Sequence, residues 1–174
     1  SGLLTSLKKL ETELVNRKVY CGERYEPFCL WVSGKADAGK SRYMQHVANE
    51  FARVMSISAP QTYHTITVNQ QYFDGFIGQP TVFIDDFLTL SPTTDVAAQL
   101  YIQMKSSALF NPPYSDVKDK CKLINFFNLI ITSNFDRVNN LPGIHNEDAY
   151  NRRRDLVLRM QSSGIPSKAT DEER

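Results

Sequence analysis

The sequence contains Gly34-Lys35-Ala36-Asp37-Ala38-Gly39-Lys40-Ser41, which matches the phosphate-binding loop pattern G-x-x-x-x-G-K-S/T at every position. The preceding residues, 28–32, are an apolar run typical of a buried strand, and residues 41–55 carry apolar side chains at helical spacing. In such a strand, loop and helix unit, backbone N–H groups turn inward on a phosphate and the helix N-terminus adds a favourable dipole. We therefore expect nucleotide binding, with Lys40 on the β- and γ-phosphates and the Ser41 hydroxyl on Mg²⁺.

The composition of the 174 residues is that of a single globular domain, with 41% hydrophobic and 22% charged residues. A net charge of +1 predicts no general attraction to nucleic acid, so any basic surface must be local. The three cysteines are far apart and form no C-x-x-C or Cys/His cluster, so we expect neither a disulfide framework nor zinc. Cys29 is predicted to be a buried thiol, and the three histidines to be packing or surface residues.

Strands and helices alternate along the rest of the chain. The pattern predicts strands at residues 63–68, 81–84, 126–132 and 156–160, and helices at residues 95–108 and 146–153. Alternation of this kind predicts a three-layer α/β fold in which a mostly parallel central sheet is flanked by helices. Because ligands of such sheets bind beyond the carboxyl ends of the strands, we expect the phosphate-binding loop, Asp85-Asp86 and Ser133-Asn134 to meet at one edge.

Polar side chains at these strand ends have the chemistry that nucleotide hydrolysis requires. We assign Asp85 to Mg²⁺, directly or through water, and Asp86 to orienting or deprotonating the attacking water. Asn134 can donate and accept hydrogen bonds, so it can hold a phosphate oxygen and the attacking water together. The alternatives are solvated strand-end acids and an ordinary turn asparagine; the neighbouring phosphate-binding loop favours the functional interpretation.

A basic run, Arg152-Arg153-Arg154, follows the last predicted helix. Such a run is ordinarily a solvated surface feature. Phosphoryl transfer, however, develops negative charge that Lys40 and Mg²⁺ offset only in part. An arginine finger supplied by a neighbouring subunit would offset the remainder and would make activity depend on assembly. The run alone leaves open which two arginines act.

Several segments in fixed order carry a resemblance to a known family. These are Glu26-Pro27-Phe28-Cys29-Leu30-Trp31-Val32-Ser33 before the loop, Tyr72-Phe73-Asp74-Gly75-Phe76, Val82-Phe83-Ile84-Asp85-Asp86-Phe87 and Ile130-Ile131-Thr132-Ser133-Asn134. Together they resemble the picornavirus 2C-type ATPases, which are superfamily 3 helicases of positive-strand RNA viruses with a AAA+ fold. The resemblance runs from about residue 26 to residue 160, nearly the whole of the predicted domain.

The resemblance implies a P-loop NTPase that binds ATP and Mg²⁺. By this resemblance, Lys40 and Ser41 correspond to motif A of the family and Asp85-Asp86 corresponds to motif B. Asn134 corresponds to the motif C sensor. The segment ending in Arg152-Arg153 looks like the family's finger segment, which favours these two arginines over Arg154.

The resemblance also implies partners and a location. The family forms a hexameric ring with ATP sites between subunits and single-stranded or structured RNA in the central pore. Residues 111–122 are similar in position to a pore loop, which makes Lys118, Lys120 and Lys122 candidates for RNA phosphate contacts. The family implies other viral replication proteins as partners and a site in the host cytoplasm at virus-remodelled membranes. The zinc element of some members is not evident here.

We predict an N-terminal amphipathic helix and lead-in at residues 1–22, the ATPase domain at residues 23–162 and a polar tail at residues 163–174. Because the chain begins Ser1-Gly2, we expect a domain cut from a longer polyprotein product, with membrane contact through segments outside this chain. The predicted function is a viral ATPase coupled to RNA remodelling or helicase activity. The alternatives are a P-loop scaffold that binds ATP and organises capsid, membrane or host factors, and a kinase or GTP switch. A GTP switch is disfavoured because no Asn-Lys-x-Asp motif is present.

Overall fold

The structure is a computed structural model that describes residues 5–6, 24–59, 61–67, 70–89, 96–117, 123–140 and 144–161. The strands are β1 (Phe28–Gly34), β2 (Tyr63–Ile66), β3 (Thr81–Phe87), β4 (Asn128–Ser133) and β5 (Leu156–Met160). The helices are α1 (Lys40–Val54), α2 (Val96–Met104) and α3 (Glu147–Asn151), and residues 5–6 are also helical. The rest of the predicted N-terminal helix, residues 118–122 of the predicted pore loop and the tail at 163–174 lie outside the described residues.

The strands form one sheet in the order β2-β3-β4-β1-β5, and every pairing within it is parallel. Phe28 of β1 lies beside Asn128 of β4, and Leu30 lies beside Leu156 of β5. β1 therefore occupies an interior position, and the carboxyl ends of β1, β3 and β4 lie side by side. The predicted parallel sheet with flanking helices is confirmed.

Alternate residues of each strand point to opposite faces of the sheet, and a helix packs against each face. Leu30 of β1 belongs to a buried cluster that includes Met44 and Ala48 of α1. Trp31 belongs to a second, larger cluster that includes Tyr101 of α2. The sheet is thus the middle layer of three, as the sequence predicted.

Helix α2 is shorter than predicted, since it ends at Met104 rather than at residue 108. The Arg24 guanidinium donates hydrogen bonds to the carbonyl oxygens of Gln103, Met104 and Ala108 and so caps the end of the helix. It also lies 5.2 Å from the centre of the Phe110 ring. Burial lowers the pKa of Arg24 to about 10. This long-range cap is not visible in the local sequence pattern.

Most other predicted elements lie within a few residues of their observed bounds. The exception with consequences is β3, which continues past its predicted end at residue 84 to Phe87, with an irregularity between Ile84 and Phe87. The predicted burial of Cys29 is confirmed, and His64 is a packing residue against Phe73 as expected. Among the described residues, no helix has the length and apolar character needed to span a membrane.

Candidate active site

The phosphate-binding loop connects β1 to α1 through a tight turn. Asp37 and Gly39 have positive φ angles of 61° and 78°. Gly34 opens the loop against β5, where an added Cβ would lie 2.6 Å from the backbone oxygen of Met160. The loop can therefore pass this close to β5 only with glycine at position 34.

Lys40 is the first residue of α1 and is only 6% exposed. Its Nζ donates hydrogen bonds to the carbonyl oxygens of Gly34 and Lys35, both at 2.9 Å, and to Oδ1 of Asn134 at 3.1 Å. All three acceptors are neutral, and within the described part of the chain Lys40 has no acidic partner. A buried ammonium group without a counter-charge favours an anion beside it.

Two hydroxyl groups converge on Asp85. Ser41 Oγ donates to Oδ1 of Asp85 at 2.7 Å, and Thr132 Oγ1 of β4 donates to the same oxygen at 2.5 Å. Mg²⁺ prefers oxygen ligands, such as those of hydroxyl and carboxylate groups. Ser41 and Asp85, both predicted Mg²⁺ residues, are therefore in direct contact.

Asp86 lies in the irregular part of β3, with an exposed side chain and a positive φ of 53°. Its N–H donates to Thr132 Oγ1 at 3.0 Å, and its carbonyl oxygen accepts from the N–H of Thr89 at 3.1 Å. The two predicted acids are thus adjacent in sequence but differ in their surroundings, because Asp85 is hydrogen-bonded to hydroxyl groups and Asp86 is open to solvent.

A cleft of about 390 Å³ lies above these residues. It is lined by Ala36, Asp37, Ala38, Gly39, Lys40, Ser41, Arg42, Asp86, Thr89 and Asn134. The structure therefore brings together the predicted phosphate-binding residues, the predicted water-activating acid and the predicted sensor. An adjoining cleft of about 490 Å³ shares Asn134 and extends toward Met160 at the end of β5.

The loop that carries Asn134 is anchored by Asp136. Ser33 Oγ donates to the Asp136 carboxylate, and Arg159 of β5 forms an ion pair with it. The hydrogen bond from Ser33, together with Arg159, holds the pKa of Asp136 below its ordinary value. These contacts fix the loop to β1 and β5. No local sequence pattern marks Asp136 for this role, because its partners Ser33 and Arg159 are distant in sequence.

The arginine run follows α3, and none of its three residues is among the described residues that line the cleft. Arg152 is exposed, and Nη1 of Arg153 donates to the carbonyl oxygen of Ala149 at 2.7 Å. Arg154 lies 5.3 Å from the centre of the Trp31 ring and donates to the backbone of Asp136. Burial lowers the pKa of Arg154. Neither Arg152 nor Arg153 is among the described residues that line the cleft of its own chain.

Thr132 was also missed by the sequence analysis, although its side chain contacts both acids. It is fully buried in β4, followed by Ser133, which is equally buried. Hydroxyl residues next to each other in an apolar strand are a recognisable signal. Their role nevertheless depends on β3 being the neighbouring strand, which sequence spacing alone does not reveal.

Comparison with known proteins gives a family match and several viral relatives. Residues 30–135, more than half of the chain, match the RNA helicase family. The genome polyprotein of Ectropis obliqua picorna-like virus is 28% identical over 141 residues, which is 78% of this chain and 5% of that protein. The RNA1 polyprotein of Cowpea mosaic virus (strain SB) is 27% identical over 150 residues, 86% of this chain and 8% of that protein.

A third relative, the genome polyprotein of Human klassevirus 1, is 32% identical over 114 residues, covering 66% of this chain and 5% of that protein. The chain thus spans less than a tenth of the length of these polyproteins. The matched region contains the phosphate-binding loop, both acids and Asn134.

Proposed function

The chain belongs to the RNA helicase family, as the resemblance of its motifs predicted, and we propose that it hydrolyses ATP with Mg²⁺ to drive work on RNA. The proposed setting is the replication of a picorna-like virus, since one relative is the genome polyprotein of such a virus and the others are viral polyproteins as well. A single observation carries the proposal. The ammonium group of Lys40 is buried and, among the described residues, is bonded only to neutral oxygens, and it lines a cleft that a phosphate chain would fill.

The residues around Lys40 fit a Mg²⁺-bound triphosphate. Ser41 and Asp85 present a hydroxyl oxygen and a carboxylate oxygen side by side, and a hard cation such as Mg²⁺ binds oxygen ligands of this kind. When bound, Mg²⁺ would offset charge on the β- and γ-phosphates. The loop N–H groups and Lys40 would hold the phosphates in place, so that the reacting group is fixed before hydrolysis begins.

Asp86 and Asn134 are the proposed residues for the attacking water. Asp86 is exposed in the cleft, so its carboxylate can accept a proton from water or orient it. Asn134 accepts a hydrogen bond from Lys40 through Oδ1, and its amide N–H groups can reach a second ligand. An amide held by the phosphate-binding lysine is suited to sense whether the γ-phosphate is present.

We propose that Arg152 and Arg153 act as fingers on the site of a neighbouring subunit in a ring, hexameric by family resemblance. Two observations support this. Arg154 is engaged within its own chain by Trp31 and Asp136, whereas Arg152 is exposed. Both proposed fingers lie outside the cleft of their own chain, so a second chain would have to provide the contact.

RNA is the proposed macromolecular substrate, through the loop at residues 111–122. The base of this loop is held in place, because Phe110 and Ile124 form a β-bridge and Ser115 donates to Asp74. The lysines proposed for RNA phosphate contacts lie farther along this anchored loop. Other viral replication proteins and virus-remodelled membranes in the host cytoplasm are proposed partners by the same family reasoning.

The test is Mg²⁺-dependent phosphate release measured against protein concentration, with Lys40→Ala as the blank. Specific activity that rises with concentration supports an ATPase with sites shared between subunits, and strand separation is then measured on RNA duplexes. Activity independent of concentration contradicts shared sites. ATP binding without turnover in assembled rings would contradict the enzyme and favour the scaffold alternative.

A further inference from the structure

One buried hydroxyl contacts both acids of the candidate active site. We propose that Thr132 is a positioning residue that holds Asp85 and Asp86 in the arrangement that hydrolysis needs. The inference rests on the proposed ATPase function, which it extends by naming the side chain that sets the geometry of the acidic pair.

The hydrogen-bond chemistry assigns the direction of each contact. The Asp86 N–H can only donate, and it reaches Thr132 Oγ1 at 3.0 Å. The ionised Asp85 carboxylate can only accept, and its Oδ1 lies 2.5 Å from the same hydroxyl. The single hydroxyl proton of Thr132 is therefore committed to Asp85. Thr132 itself is fully buried, so its hydroxyl meets these two protein partners rather than bulk solvent.

The backbone at Asp86 depends on this contact. Its φ of 53° is in the left-handed region, which residues other than glycine rarely adopt. The conformation is supported on one side by Thr132 and on the other by Thr89, whose N–H and hydroxyl both donate to the Asp86 carbonyl oxygen. Without the Thr132 hydroxyl, the peptide before Asp86 loses its hydrogen-bond acceptor and the side chain can leave the cleft.

Asp85 depends on the same hydroxyl in a different way. Both hydrogen bonds that its carboxylate accepts from described residues fall on Oδ1, one from Ser41 and one from Thr132. The Ser41 bond comes from the phosphate-binding loop, so a change in the conformation of that loop can break it. The Thr132 bond comes from the centre of the sheet, so it can keep the carboxylate in one orientation throughout the reaction.

Ser133 provides a matched control in the neighbouring position. It is as buried as Thr132, and its Oγ donates to the carbonyl oxygen of Phe87 at 2.9 Å and accepts from the N–H of Phe135 at 3.1 Å. It therefore binds the same irregular part of β3 without touching either acid. Removal of the Ser133 hydroxyl therefore weakens the packing of this region without removing a bond to Asp85 or Asp86.

The experiment compares Thr132→Val, Thr132→Ser and Ser133→Ala in the full 174-residue chain. We expect Thr132→Val to lower kcat about 10- to 100-fold, the effect of one lost buried hydrogen bond to a charged group. KM should change by less than about threefold, because the phosphate contacts of Lys40 remain. Thr132→Ser should retain most of the wild-type kcat. Ser133→Ala is compared through its Asp86 amide exchange and not through kcat, because the Ser133 hydroxyl also holds the N–H of Phe135, next to Asn134.

Amide hydrogen exchange at Asp86, followed by NMR, gives a readout that needs no turnover. The amide should be protected in the wild type and in Thr132→Ser, and should exchange faster in Thr132→Val but not in Ser133→Ala. An unprotected Asp86 amide in the wild type would overturn the proposal even if Thr132→Val does not fold.

The two levels of the proposal fail differently. Absence of Lys40-dependent phosphate release in the wild type contradicts the ATPase, and the exchange data still decide the role of Thr132. Wild-type kcat in Thr132→Val, or equally fast exchange of the Asp86 amide in Ser133→Ala, overturns the positioning role while leaving the ATPase intact.

Discussion

Two charged residues in the cleft have opposite surroundings. Lys40 is buried and bonded to three neutral oxygens, whereas the Asp86 side chain is exposed. A residue that bonds a phosphate of the bound substrate contributes to affinity, and one that contacts only the attacking water contributes to the rate of reaction. Substitutions at the two positions should therefore have separable effects on binding and turnover.

The first prediction concerns Asp86→Asn. This variant should bind a fluorescent ATP analogue with nearly wild-type Kd, because Lys40 and the loop are unchanged. Its kcat should fall by about 10²- to 10⁴-fold, the usual contribution of a general base. Glu50→Gln, which removes a carboxylate from an exposed pair with Arg53 on α1, is the control and should retain activity. Loss of nucleotide binding in Asp86→Asn would instead mean that Asp85 and Asp86 have exchanged roles.

The second prediction concerns the thiol of Cys29. Burial raises its pKa to about 12, despite the opposing hydrogen bond with the Tyr101 hydroxyl 3.8 Å away. The folded protein should therefore hold a protonated, unreactive thiol at pH 8, where iodoacetamide should label Cys29 far more slowly than in guanidinium. Peptide mass spectrometry measures the labelling at this position.

The same shift has a consequence for stability. Because the pKa of Cys29 is raised in the folded state, the protonated thiol contributes to the free energy of unfolding. This contribution is fully present below the ordinary thiol pKa and is lost as pH rises toward about 12. Equal labelling of Cys29 in folded and unfolded protein would contradict the burial on which both expectations depend.

At the level of elements, the close approach of the phosphate-binding loop to β5 explains why position 34 is glycine. A Cβ there would lie 2.6 Å from Met160 O, inside any normal contact distance. The third prediction is that Gly34→Ala lowers the free energy of unfolding by about 2–3 kcal/mol, the upper part of the usual cost of overpacking, because the clash is with backbone and not with a movable side chain. Urea unfolding measures this loss.

Gly39→Ala separates this clash from backbone strain. In the described part of the chain, no atom lies within 4 Å of a Cβ at Gly39, although its φ of 78° is unfavourable for alanine. The variant should lose only about 1 kcal/mol, the cost of a left-handed φ without a clash. A loss at Gly39 as large as that at Gly34 would show that contact with β5 is not the deciding factor.

The elements themselves were largely predictable because their signals are local. Residues 28–32 are apolar and precede a loop motif, so β1 and the loop could be identified without knowing their neighbours. Two other features could not be predicted, because each involves a side chain distant in sequence: the cap that Arg24 forms on α2 and the irregularity at Asp86. The role of Thr132 could not be predicted for the same reason, since it depends on β4 lying beside β3.

At the scale of the whole molecule, the cleft of one chain is an incomplete catalytic site in our proposal. Lys40, Asp86 and Asn134 meet there, but Arg152 and Arg153 are absent from its described lining. A finger supplied in trans would join the site of one subunit to the arginines of the next. Such an arrangement can be tested by mixing two inactive proteins, because each would bring the part that the other lacks.

The fourth prediction is that Arg153→Ala is inactive alone, with kcat reduced by about 10³- to 10⁵-fold, yet regains activity when mixed with Asp86→Asn. An Arg153→Ala subunit keeps an intact site, and an Asp86→Asn subunit keeps an intact finger. Random assembly of equal amounts places these together at about one quarter of the interfaces of a symmetric ring, which sets the expected recovery. Phosphate release from the mixture measures it.

The control mixture pairs Lys40→Ala with Asp86→Asn and should show no recovery, since both substitutions damage the same site and no interface has an intact one. Arg154→Ala should differ again, because its side chain packs on Trp31 and bonds to Asp136 within its own chain. Its main defect should be lower stability, which an intact neighbour cannot repair. Recovery in the Arg153 mixture alone would therefore identify a finger acting between subunits. Failure to recover in rings shown to contain both variants would mean that Arg153 acts within its own chain or not at all.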